Sequence, residues 1–124
     1  MIFTHTFEHK DKYLLSIAKG KTDHVGETMQ YLVTTAAETT KGEYTLLIMD
    51  ERDALFRLDE LETFAENAGI LSKATPHNVE KIAVICKRHS TSLYQFMQEK
   101  LRTSMNCEIE VFVNLKDAEE WLLS

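Results

Sequence analysis

Residues 108–123, EIEVFVNLKDAEEWLL, change their hydrophobic period halfway along. Up to Val113 polar and apolar residues alternate, which is the two-residue period of a strand with one buried face. From Leu115 onward the apolar residues Leu115, Ala118, Trp121 and Leu122 recur at intervals of three and four, the stripe of a helix. Between the two patterns, Asn114 and Asp117 stand where the first turn of a helix needs acceptors for its free N–H groups. A strand passing directly into a capped helix is the repeating unit of α/β folds, and the rest of the chain repeats it.

YTLLIM (44–49) and KIAVIC (81–86) are continuous apolar runs of strand length, the pattern of strands covered on both faces; the first is expected to stop at Asp50. In LDELETFAENAG (58–69), Asp59 and Glu62 have capping-box spacing. Leu61, Phe64, Ala65 and Ala68 share one face, and Gly69 supplies the stop. Residues 71–80 read as a loop. Leu93, Phe96, Met97, Leu101 and Met105 form a further helical stripe. Earlier in the chain, Thr22 or Asp23 is expected to cap a helix carrying Val25, Met29, Leu32, Val33 and Ala36 and ending near Gly42. Residues 2–8 and 13–19 are β-branched and aromatic runs joined by HKDK, an antiparallel hairpin. The order is β-hairpin then α-β-α-β-α-β-α. Right-handed crossovers then give a mixed, mostly parallel sheet with helices packed on at least one face.

At 124 residues the chain suits a single domain, 1–124, with a core that needs neither disulfide nor metal. Its net charge of -6 repels a phosphate backbone, so no nucleic-acid partner is expected. Apolar runs fall far short of the ~20 residues that cross a bilayer, so no membrane span is expected. The opening MIFTHTFEHKDK lacks the basic start and apolar core of a secretory signal, which points to the cytoplasm. There, Cys86 and Cys107 read as free, buried thiols.

The closing segment, with Phe112, Asp117, Ala118, Glu119, Glu120, Trp121 and Leu122, resembles the characteristic ending of the SpoIIAA-like family of small bacterial proteins, which share the STAS fold. KIAVIC is similar to another strand of that family, and LLIMD (46–50) to its strand ending in Asp. These likenesses cover most of the chain from Tyr44 onward, whereas the first 40 residues match in element order only. The resemblance implies a single-domain STAS/SpoIIAA-like sandwich. It further implies a non-enzymatic cytoplasmic binding or regulatory module that needs no cofactor. In better-understood STAS relatives a Ser at the start of the helix after the central strand is phosphorylated. Here Asp59 and Glu60 occupy that place, so the resemblance does not extend to a phospho-switch. Some relatives have been grouped with lipid-binding CRAL-TRIO folds, which keeps an apolar ligand in view.

Ligands of open α/β sheets bind beyond the carboxyl ends of the strands, and two loops are expected there. DERD (50–53) places Asp50 and Arg52 together, either as a local ion pair in a solvated turn or as ligand contacts. The few oxygens present are poor provision for an octahedral metal site, and no metal is expected. KRHSTS (87–92) offers Lys87, Arg88, Ser90 and Thr91 at a helix start. This is either an anion site, or a capping box of Ser92 and Gln95 flanked by solvated basic residues. A small anionic or apolar ligand in a cleft between Asp50–Arg52 and Lys87–Ser90, bound by a carrier or an enzyme, is thus the alternative to a protein partner. His5 and His9 read as surface histidines of an edge strand, and Cys86 as an inert core thiol. No catalytic residue is assigned. Exposed pairing groups along residues 2–8 are compatible with a homodimer.

Overall fold

The computed structural model describes residues 2–56, 78–92, 94, 95, 98 and 107–124. The helix expected over 58–69 and the loop over 71–77 lie outside them. Five strands form one sheet: β1 (Thr4–His9), β2 (Leu14–Lys21), β3 (Leu46–Leu55), β4 (Lys81–Ile85) and β5 (Glu108–Phe112). Their spatial order is the chain order, β1-β2-β3-β4-β5. β1 and β2 are the antiparallel hairpin, with Thr4 opposite Lys19 and His9 opposite Leu14. All other neighbours are parallel. This is the mixed, mostly parallel sheet implied by the alternating pattern.

Two complete helices are described, α1 (Val25–Lys41) and α2 (Leu115–Leu122). They cover opposite faces. On the α1 side Tyr31 packs with Leu14, Ala18, Leu47, Met49, Ile82 and Ile109. On the α2 side Ala118 and Leu122 pack with Tyr13, Leu15, Ile48, Ala83 and Ile85. Alternation along β2 and β3 explains the partition, since successive side chains enter different cores. Leu14, Ile48, Ala83 and Ile85 are fully enclosed.

The closing motif is a packing device. Asn114 caps α2, its Oδ1 accepting from the Asp117 N–H at 2.8 Å. Trp121 meets Phe112 at 5.7 Å between ring centroids and carries the Lys81 ammonium 5.0 Å from its own ring centre. Lys81 Nζ also donates to the Trp121 carbonyl at 3.2 Å, neutralising the C-terminal end of α2.

The cap of α1 differs from expectation. His24, rather than Thr22 or Asp23, is the capping residue; its Nδ1 accepts from the Glu27 N–H, while Glu27 reaches back to the Asp23 N–H at 2.7 Å. Thr22 is drawn inward instead, bonded to Thr28 at 3.0 Å. The buried face of α1 is largely polar: Thr28, Thr35 and Thr39 are enclosed along with Met29, Tyr31 and Ala36, whereas Leu32 and Val33 are only half-buried. Thr35 and Thr39 satisfy their hydroxyls on the carbonyls of Tyr31 and Thr35, one turn back.

Candidate functional site

β3 does not stop at Asp50. It continues through Leu55, so DERD is strand rather than loop. Its continuation is held by β2, with Lys19 beside Asp53 and Lys21 beside Leu55. The pairing slips on the way: from Ile17 to Lys19 is two steps on β2, whereas their partners Asp50 and Asp53 are three steps apart on β3. One extra residue is therefore accommodated around Glu51 and Arg52, as a β-bulge. Glu51 lies on the α1 side, following Leu47 and Met49, and beyond the bulge Ala54 and Phe56 return to that same core.

Glu51 is consequently buried. The Tyr31 hydroxyl donates to its Oε2 at 2.5 Å, and Tyr94 also hydrogen-bonds to it. Burial raises the carboxyl pKa from 4.5 to about 7, with the two phenols and neighbouring Asp50 as opposing smaller influences. Both phenols are in turn pushed above their ordinary range, first by burial and then by Glu51.

A second polar chain adjoins the first. His5 Nε2 lies 2.7 Å from Ser16 Oγ and 3.3 Å from Thr35 Oγ1, and its ring stands 4.6 Å from that of Tyr31. Burial lowers the imidazole to about 4. His5 is thus not the surface histidine expected of an edge strand, because its side chain turns under α1. His9 does face solvent, between Glu38 at 3.1 Å and the Tyr44 hydroxyl at 2.9 Å.

Asp50 points to the α2 side, where Arg52 grips it with two bonds, Nε to Oδ1 at 2.9 Å and Nη2 to Oδ2 at 2.7 Å. The pairing raises the Arg52 pKa, with the hydrogen bond to Asp50 the leading cause. The ion-pair reading of these residues describes the geometry. Register sets Asp50 beside Ile85, the last residue of β4 and two residues before Lys87. Lys87 and Arg88 are exposed, and Arg88–Ser90 form a single 3-10 turn. The N–H groups of Ser90 and Thr91 are bonded inside that turn to the carbonyls of Lys87 and Arg88, and the Thr91 hydroxyl donates to Arg88 as well. Thr91 and Ser92 are already helical, so Ser92 is not the cap residue of a Ser92–Gln95 box.

Cys86 is buried at the end of β4, its thiol pushed up by burial and then by Glu51. Cys107 is half-buried, and both thiols are free. Among the described residues there is no group of three or more metal-ligating side chains, and no helix is long and apolar enough to cross a membrane.

The fold recurs in solved structures. A crystal structure of an anti-sigma factor antagonist from Mycobacterium paratuberculosis matches with a TM-score of 0.60 at 14% identity, over 99% of this chain and 96% of that one. An uncharacterized DUF3478-family protein with a SpoIIAA-like fold from Shewanella loihica PV-4 matches with a TM-score of 0.59 at 17% identity, over 97% and 93%. The chain has a SpoIIAA-like fold. Neither a protein-family profile nor a curated protein matches it. The helix start expected at Asp59 and Glu60 lies outside the described residues. The Glu51 cluster was missed by sequence reasoning, although Tyr31 lies in line with the buried residues of α1.

Proposed function

We propose that this SpoIIAA-like domain is a non-enzymatic binding or regulatory module that acts through a protein partner. The observation that carries the reading is the mutual satisfaction of the polar groups midway along β3 and in the turn after β4. Asp50 is taken up by Arg52, Glu51 by two phenols, and Thr91 by a carbonyl of its own turn. A catalytic acid or nucleophile has to meet its substrate, and these groups instead meet one another. Whole-length likeness to an anti-sigma factor antagonist adds support.

The alternative is an anion site using Asp50, Arg52, Lys87, Arg88, Ser90 and Thr91, favoured by the exposure of Lys87 and Arg88 at the sheet edge. Thermal unfolding in increasing inorganic phosphate separates the two. A ligand at a hundred times its Kd stabilises by about 2.7 kcal/mol. The protein-partner reading expects no saturable shift. A saturable rise that disappears in Lys87→Ala and Arg88→Ala would replace it with the anion site.

A further inference from the structure

Three elements converge on one carboxyl group. β3 brings Glu51 at its bulge, α1 brings Tyr31, and the helical residues after β4 bring Tyr94. We infer that Glu51, Tyr31 and Tyr94 form a proton-operated latch, which clasps α1 and the Tyr94 segment to β3 while Glu51 is neutral and loosens when Glu51 ionises. This inference stands independently of the partner reading.

The groups facing Glu51 define the response. From β3 itself comes Asp50, of the same sign and already committed to Arg52. From the end of β4 comes the Cys86 thiol, whose own ionisation Glu51 opposes. From α1 and the segment after β4 come two phenols that stay protonated well beyond neutrality. Behind Tyr31 stands His5 of β1, uncharged above about 4, with Ser16 of β2. None of these described neighbours is a cation. A carboxylate formed here has phenol O–H groups as its donors and lacks the hydration it would have in water. Opening the clasp restores that hydration.

Linkage fixes the size of the effect. Closed, the carboxyl keeps its proton to about 7; exposed to water it releases it near 4.5. The open fraction therefore grows roughly tenfold between about pH 6 and pH 8. Hydrogen exchange of the full chain, corrected for the intrinsic pH dependence of exchange, reads this directly. Amides of α1 and of Tyr94 and Gln95 are expected to lose protection by roughly tenfold across that interval. Glu51→Gln should abolish the change. Tyr94→Phe should raise opening at both pH values while keeping the dependence. His9, which contacts Glu38 toward the C-terminal end of α1, is common to all three proteins and cancels in the comparison. Equal pH dependence in wild type and Glu51→Gln overturns the inference. Should Glu51→Gln fail to fold, carbon-13 titration of the wild-type Glu51 carboxyl decides the matter: a midpoint near 7 supports the latch, and one near 4.5 overturns it.

Discussion

Replacing Glu51 by Gln should make this protein more stable at alkaline pH, although it removes a charged residue from a fully hydrogen-bonded position. Glutamine keeps the shape; its amide oxygen accepts from Tyr31 and its amide N–H can donate to the oxygen of Tyr94. What it lacks is a proton to lose. In the folded protein the Glu51 carboxyl titrates at about 7, against 4.5 when exposed to water. Between those values the unfolded chain binds fewer protons than the native one, so stability falls as pH rises. The contribution is complete below about 4.5 and is lost as pH passes about 7. That interval corresponds to about 3 kcal/mol, or on the order of 10 °C in Tm for a domain of this size. Urea unfolding at about pH 5 and pH 8 measures it as a difference of differences. Wild type should lose about 2.5 kcal/mol more than Glu51→Gln between the two conditions. Other carboxylates and histidines contribute equally to both proteins and drop out. Parallel stability curves for the two would refute the buried, neutral carboxyl.

His5 acts in the opposite direction and lower in pH. Its lowered pKa, about 4, means that stability is lost as pH falls below about 6.5, because the unfolded chain takes up a proton that the native one refuses. With the ring half-exposed the effect is about 1 kcal/mol, and His5→Gln should flatten acid unfolding by that amount. Gly20→Ala should destabilise by at least about 2 kcal/mol in chemical unfolding. Gly20 sits at φ +96, and a Cβ there would collide with the Ile2 carbonyl. Asn114→Ala should cost about 1 kcal/mol by removing the acceptor for the Asp117 N–H, measurable as a lower urea midpoint with an unchanged slope.

The elements legible in the sequence are those whose causes are local. Asn114, three residues from the N–H it satisfies, marks the start of α2, and the apolar runs at the start of β3 and in β4 announce strands covered on both faces. β3 proved longer than its apolar run because its second half is held by β2, and nothing within DERD encodes Lys19 or Lys21 as neighbours. Charged residues in succession read as a turn; here alternation across the sheet sends Asp50 to one face and Glu51 to the other. The inner face of α1 was obscured by its chemistry, since Thr28, Thr35 and Thr39 count as polar in any search for an apolar stripe. Together with Tyr31 they nevertheless recur at intervals of three, four and four. The Glu51 cluster had the weakest local signal: its partner Tyr31 lies 20 residues away, and pairing the two requires knowing which helix covers which face.

Because the sheet's spatial order repeats the chain order, no strand has to be threaded between two that are already paired. The hairpin can form alone, β3 can join the free side of β2, and β4 and β5 can each extend the margin left by the strand before. Strands can therefore be added to the sheet in the order of synthesis, each new one pairing with the one before it. The hazard is correspondingly localised. Until residues 81–85 arrive, the whole apolar length of β3 is a growing margin without a neighbour, and that interval is when the nascent chain is most exposed to joining another copy of itself.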